Sequence, residues 1–436
     1  ALFGWPLGHT MSPELHAQLF EASGQDADYI GVAVPPEDLP EAFELAKRKL
    51  GGINCTIPHK KAVIPLLDEI DTAARDLHSV NTVRFADGKA TGFNTDILGF
   101  AESLNRDGVS LQGKKVLLLG YGGAASVMAY HCVTQGAYLI ITGRNLEKAE
   151  ALQKQLTDAV PGARISVFSR RHIPRDIHIV LNSTPVGMYP NVGVSALDIT
   201  SMPGLEAVID VIYNPDKTEL ILRAEELGVP VAVGGLEMLV AQAVYAAEFF
   251  LDRKFEDAGA EIARVTSELR REQLNIALIG MPSSGKSTLG RALAERLGKR
   301  FVDLDEEIVK ADGRSIPDIF AAEGEAGFRK LEAAQTARFA RENRQVISCG
   351  GGVVKDPANL RALHANGIVL FIDRPLEDLL VGGGRPLSTS PEALKTMEAQ
   401  RRPLYLAAAD AVIPNKTTPA DAVTAAMEAL DEIFSH

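Results

Sequence analysis

Two short glycine-containing stretches carry the clearest chemistry in the sequence. One is GMPSSGKST, Gly280 to Thr288, with the spacing G-x-x-x-x-G-K-[ST] at Gly280, Gly285, Lys286 and Ser287. Glycines let backbone N–H groups face phosphate oxygens, and the helix that follows adds positive potential at its start. A lysine placed like Lys286 reaches the β- and γ-phosphates, and a hydroxyl placed like Ser287 can ligate Mg²⁺. The pattern predicts an ATP site at Ser283, Ser284, Gly285, Lys286, Ser287 and Thr288. The other stretch is GYGGAA, Gly120 to Ala125. It predicts a dinucleotide turn, with Gly120, Gly122, Gly123 and Ala124 at a pyrophosphate. After the next apolar run, where an NAD site usually carries an acid, stand Gly143, Arg144, Asn145 and Lys148. Cations there suit a 2′-phosphate, so NADP(H) is the expected cofactor.

Both turns need a strand before them and a helix after them, and the flanks supply both. VLLLG (Val116–Gly120), YLIIT (Tyr138–Thr142), IVLNST (Ile179–Thr184) and AVIDVIY (Ala207–Tyr213) are short, apolar and mostly β-rich. Longer amphipathic stretches separate them, which predicts parallel α/β architecture. NIALIG starts a second strand–turn–helix after a charged helical run near 255–274, expected as an interdomain linker acting as a semi-rigid spacer.

The whole chain sets bounds on this reading. Its 436 residues predict about two to four domains. A net charge of −12 argues against a nucleic-acid or anionic-membrane partner, while leaving room for local basic sites. Cys55, Cys132 and Cys349 lie far apart, with neither metal nor disulfide spacing, so a reducing cytoplasm is expected. The run LEMLVAQAVYAAEFFL is broken by Glu237, Gln242 and Glu248 and reads as a core helix. No secretory signal is read. The sequence opens ALFGWP without Met, so further residues ahead of Ala1 are expected.

After the phosphate loop come FVDLDEEI with Asp303 and Asp305, FRKLE with Arg329, VISCGGGVV with Gly350 to Gly352, GGGRPL with Arg385, and QRRPLY with Arg401. In this order they resemble the shikimate kinase family, across 275–436. The resemblance implies that Asp305 contacts shikimate hydroxyls and takes a proton, and that Arg329 and Arg401 clamp its carboxylate. It implies close backbone approach at Gly350, Gly351 and Gly352, and Mg²⁺ near Ser287 and Asp303. Arg385 is implied on a lid hinged by Gly382–Gly384. The chain differs in having no arginine in LEDLLVGGG, just ahead of Arg385.

In the first half lie GWPLGHTMSPELH with Thr10 and Ser12, GGINCTIPHK with Thr56 and Lys60, SVNTV with Asn81, and TGFNTDILGF with Asp96. NSTPVGM with Met188, DVIYNP with Tyr213 and VGGLEMLVAQA with Gly234 and Gln242 follow. This ordered set resembles the shikimate dehydrogenase family across about 1–255. The resemblance implies a catalytic pair, Lys60 and Asp96. It implies ring and carboxylate contacts from Thr10, Ser12, Thr56, Asn81, Tyr213 and Gln242, and cofactor contacts that include Met188 and Gly234. The family usually has Ala at Tyr121 and Asn-Arg-Thr at Gly143-Arg144-Asn145.

The two resemblances together imply an α/β chain: a substrate domain (1–105 and 236–254), a Rossmann NADP domain (106–235), a helical linker (255–274) and a P-loop kinase domain (275–436). They imply reduction of 3-dehydroshikimate with NADPH, then phosphorylation of shikimate with ATP and Mg²⁺. Two rivals are a dehydrogenase with a non-catalytic, regulatory kinase-like domain, and a metabolite-binding regulator without turnover. Quinate or NAD preference in the first half and a homo-oligomeric state stay open.

Overall fold

The computed structural model describes residues 1–7, 10–379 and 390–435. They form two compact units. The first comprises 1–186, 195–213 and 223–266, and the second 187–194, 214–222 and 267–436.

The first unit holds two six-stranded sheets. The N-terminal sheet is mixed. Its strands are β1 (Leu2–Gly4), β2 (Gly31–Ala33), β3 (Gly52–Cys55), β4 (Glu69–Ile70), β5 (Thr82–Ala86) and β6 (Lys89–Phe93), in the order β2-β1-β3-β5-β6-β4. The other sheet is parallel throughout, with β7 (Lys115–Leu119), β8 (Tyr138–Thr142), β9 (Arg164–Val167), β10 (Ile179–Asn182), β11 (Ala207–Asp210) and β12 (Val231–Val233). Its order, β12-β11-β10-β7-β8-β9, reverses beside β7. That is the doubly wound topology whose ligands sit at the carboxyl ends of the strands. Leu119 is in register with Thr142 on one side and Asn182 on the other, so those ends are level.

The apolar runs form strands because both sheet faces are covered. Val116, Leu117, Leu118 and Leu119 are all buried. Reducing one such leucine to alanine costs about 2–5 kcal/mol. The strands stop where side chains turn the backbone. β10 ends at Asn182, whose Oδ1 accepts from the Thr184 N–H at 3.0 Å. β11 ends at Asp210, whose Oδ1 accepts from the Ile212 N–H at 3.0 Å. Asx turns of this kind cut both strands shorter than the apolar runs predict.

The second unit has one parallel sheet: β13 (Asn275–Ile279), β14 (Arg300–Asp303), β15 (Gln345–Ser348), β16 (Gly367–Asp373) and β17 (Ala411–Pro414), in the order β14-β15-β13-β16-β17. Ser348 pairs in register with both Leu278 and Asp303, which gathers the phosphate loop and Asp303 at one edge.

The stretch expected as a linker is the helix Ala258–Gln273. Ile262, Val265 and Leu269, spaced along one face, are fully buried. Burial of that face makes the helix a packed element along one side, which the charged composition of the expected semi-rigid spacer did not show.

Candidate active sites

In the first unit, the loop after β3 carries Thr56 and leads into the short helix His59–Ala62 with Lys60. Asp96 lies in the first turn of the helix Thr95–Arg106. Lys60 Nζ donates to Asp96 Oδ2 at 2.6 Å. The other carboxylate oxygen, Oδ1, accepts from Asn81 Nδ2 at 2.9 Å.

A chain of buried polar groups sets that orientation. Burial holds the Tyr29 phenol well above its ordinary pKa, so it remains a donor. It donates to Asn54 Oδ1 at 2.6 Å. The Asn54 amide then donates to Thr82 Oγ1 at 2.9 Å, and Thr82 donates to Asn81 Oδ1 at 3.1 Å. The same Asn81 oxygen accepts from the Thr95 N–H at 2.7 Å, leaving its NH₂ to face Asp96. Each amide orientation follows from its neighbour's, which is why a satisfied polar network specifies one geometry.

Thr10, Ser12, Thr56, Lys60, Asn81, Asp96, Tyr213 and Gln242 all line one cavity of 580 Å³, as do Asn54, Met238 and Gly235. Gly234 precedes the lining residue Gly235 and does not itself line the cavity. Met188 is exposed and falls in the 187–194 segment of the second unit. Thr10 Oγ1 donates to Ser12 Oγ at 3.2 Å, so the two hydroxyls already converge. Four hydroxyls, three amides, one ammonium and one carboxylate among these residues suit a small polyhydroxylated anion.

At the carboxyl end of β7, Gly120 donates its N–H to Thr142 O at 2.9 Å. Gly122 caps the helix Gly123–Thr134. A Cβ on Gly120 would meet Ser183, so the turn tolerates no side chain there. The N–H groups of that helix start, Gly123 and Ala124 among them, have no hydrogen-bond partner among the described residues and could seat a pyrophosphate. Arg144 and Lys148 are exposed beside it. Asn145 caps the helix between them by accepting from the Lys148 N–H at 3.0 Å. Two exposed cations flanking a helix start fit a 2′-phosphate.

In the second unit, the phosphate loop takes left-handed backbone at Ser283 (φ 65°) and Gly285 (φ 92°). The Lys286 ammonium, nearly buried, folds back onto the carbonyls of Gly280 and Met281 at 3.0 and 2.8 Å. Ser287 Oγ donates to Asp303 Oδ2 at 2.6 Å. Asp303 also caps the next helix, accepting from the Asp305 N–H at 3.1 Å. A hydroxyl and a carboxylate adjoining a phosphate cradle fit Mg²⁺, which takes few protein ligands and keeps waters and phosphate oxygens.

Asp305, Arg329, Gly350, Gly351, Gly352 and Arg401 come together at the far side of the loop. A Cβ on Gly350 would stand 2.7 Å from Glu332 Oε1 and 3.1 Å from Asp305 Oδ1. One on Gly352 would meet the Arg329 guanidinium. Arg401, also nearly buried, donates to Gly351 O at 2.9 Å. Arg329 Nη1 pairs with Glu332 Oε2 at 2.6 Å.

In the second unit, two residues that touch the site were not picked out as site residues by sequence. Glu332 is buried, and its Oε1 lacks a hydrogen-bond partner among the described residues. Burial, aided by the nearby Asp305 charge, holds its pKa above the ordinary carboxylate range against Arg329 and Arg401. Its signal was present in FRKLE, one helical turn after Arg329. Asn415 donates to the Ser284 carbonyl at 2.8 Å and braces the loop from outside. A lone Asn after a strand carries no such signal. Arg385 and Gly382–Gly384 lie outside the described residues.

Comparison with known proteins follows the same division. Family models match for the shikimate dehydrogenase substrate binding domain (2–83), shikimate / quinate 5-dehydrogenase (102–185) and shikimate kinase (282–431). A shikimate dehydrogenase (NADP(+)) of Carboxydothermus hydrogenoformans is 38% identical over 250 residues, 57% of this chain and 89% of that protein. Shikimate 5-dehydrogenase of Thermus thermophilus, solved with NADP(H) and shikimate, is 30% identical. It has a TM-score of 0.53, over 61% of this chain and 98% of its own. Quinate dehydrogenase of Corynebacterium glutamicum, solved with NAD, is 29% identical with a TM-score of 0.56, over 62% and 96%. Both resemblances read from the motifs are thereby borne out. The chain belongs to the shikimate dehydrogenase family and carries a shikimate kinase domain behind it.

Proposed function

We propose that the chain reduces 3-dehydroshikimate to shikimate with NADPH at the first site, and phosphorylates shikimate with ATP and Mg²⁺ at the second. The observation that carries this reading is the pairing of two assembled sites on one chain. One joins Lys60 and Asp96 in a cavity of hydroxyls and amides; the other joins Lys286, Ser287 and Asp303 to Arg329 and Arg401.

At the first site, NADPH supplies the hydride. Thr10 and Ser12 receive the substrate carboxylate, and Thr56, Asn81, Tyr213 and Gln242 meet the ring hydroxyls. Lys60 stands beside the carbonyl oxygen, where negative charge develops, and its ammonium offsets that charge. Asp96, fixed by Asn81, keeps the ammonium aimed. The Gly120–Ala124 turn holds the pyrophosphate, and Arg144 and Lys148 meet the 2′-phosphate.

At the second site, Arg329 and Arg401 take the shikimate carboxylate, a bidentate match for planar guanidinium groups. Asp305 accepts the proton of the attacking hydroxyl. Lys286 exchanges its loop carbonyls for the β- and γ-phosphates, and Ser287 with Asp303 would hold Mg²⁺, which offsets charge on the transferring group. A regulatory domain without turnover would not need the whole of this set.

Single substitutions separate the two activities. Lys60→Ala is expected to lower reduction by about 10²–10⁴-fold and leave phosphorylation of supplied shikimate intact. Lys286→Ala is expected to do the reverse. Measured by NADPH oxidation and by ADP release, a Lys60→Ala protein that still reduces at the wild-type rate would refute the assignment of the first site.

A further inference from the structure

Gly143 is a glycine that its own backbone does not require. Its φ lies outside the left-handed region that favours glycine. The reason for glycine is instead a neighbour. A Cβ at 143 would stand 2.5 Å from Cε1 and 2.7 Å from Cδ1 of Tyr121, and the three nearest atoms it would meet all belong to that ring. Real carbon contacts are nearer 3.5–4.0 Å, so ring and side chain cannot both occupy the space.

Tyr121 itself stands inside the phosphate-cradling turn, between Gly120 and Gly122. Its ring lines a 320 Å³ pocket together with Gly122, Gly123 and Lys148. On the other side of the ring's contact, Gly143 leads directly to Arg144. That two-residue stretch hangs between fixed points. Thr142 O is held by the Gly120 N–H, and Asn145 is held by its capping bond to the Lys148 N–H. Gly143 is buried under the ring while Arg144 is exposed, and the Arg144 side chain has no hydrogen-bond or ion-pair partner among the described residues.

We infer that Tyr121 is a specificity-determining positioning residue. Its ring buttresses Gly143 and so sets the backbone from which Arg144 reaches the adenosine 2′-phosphate. The ring and the glycine form one unit, each making sense only with the other. The consequence falls on phosphorylated cofactor in particular. NADH lacks the phosphate that Arg144 would meet, so its binding depends less on where Arg144 stands. This inference rests on the NADPH-dependent reading of the first site.

The test is a double-mutant cycle on the full chain with Tyr121→Ala, Gly143→Ala and the double variant. It reads NADPH affinity by nicotinamide fluorescence, and kcat/KM with NADPH and with NADH. Gly143→Ala is expected to weaken NADPH by about tenfold, and adding Tyr121→Ala to recover most of the loss, because contacting residues couple. Tyr121→Ala alone is expected to reduce the ratio of NADPH to NADH kcat/KM, a readout that a purely structural role would not move. If Gly143→Ala does not fold, recovery of folding and of NADPH binding in the double variant is the expected result, and its failure overturns the inference. Additive effects, or an unchanged cofactor ratio in Tyr121→Ala, overturn it as well. A wild-type protein that turns over with neither nucleotide would overturn the functional reading too. One that turns over with NADPH but shows an additive cycle overturns the inference alone.

Discussion

Asp96 is aimed by a residue several hydrogen bonds away. Tyr29 starts the series of donors that ends on Asp96 Oδ1, and removing its hydroxyl leaves Asn54 Oδ1 buried without that donor. Tyr29→Phe is therefore expected to cost about 1–3 kcal/mol of stability, read by denaturant unfolding. It should also lower kcat for reduction with little change in the NADPH KM, because the network meets the substrate side of the cavity. Unchanged stability and kcat would show that Asn54 keeps its orientation without the phenol. Residue types of this kind were only partly legible. Lys60 and Asp96 were reached through the family resemblance carried by GGINCTIPHK and TGFNTDILGF. Tyr29 and Thr82 were not, since each is ordinary in its own segment and acquires a role only through neighbours distant in sequence.

The elements deliver these side chains by ending at the right place. β7, β8, β10 and β11 all stop near one level, and the glycine turn, the Gly143–Asn145 turn and the Asn182 turn follow there. In the second unit, β13, β14 and β15 do the same for the phosphate loop, Asp303 and the Gly350–Gly352 turn. The last turn is the most sensitive to added volume. Gly350→Ala would press against Glu332 and Asp305, displacing the partner of Arg329. Phosphorylation kcat/KM is expected to fall on the order of 10²-fold, since a displacement near 1 Å of a positioning group has that scale. Reduction should be unaffected. A wild-type kcat/KM for phosphorylation would mean that the substrate does not use this face. Element type was legible from period and turn chemistry, because buried parallel strands read as short apolar runs. Their ends were less so: β10 and β11 stop at Asn182 and Asp210, within stretches read as extending to Thr184 and Tyr213. The packed face of the helix Ala258–Gln273 was hidden for a similar reason. Ile262, Val265 and Leu269 are few among many charges, and only burial shows that they face inward.

Two glycine turns on one chain make chemical sense if the product of one site is the substrate of the other. On the proposed reading, the first unit receives a hydroxylated ring acid in its cavity and a dinucleotide at its glycine turn, and the second clamps the carboxylate with Arg329 and Arg401 near the phosphate loop. Among the described residues, no helix is long and apolar enough to cross a membrane, and Cys55, Cys132 and Cys349 are free and buried. The most direct measurement supplies purified chain with 3-dehydroshikimate, NADPH, ATP and Mg²⁺ in one reaction and identifies the products by mass spectrometry. The account predicts shikimate 3-phosphate, with NADP⁺ and ADP formed in equal amounts as the intermediate is consumed. Shikimate accumulating without its phosphate would contradict the second assignment, and unconsumed 3-dehydroshikimate would contradict the first.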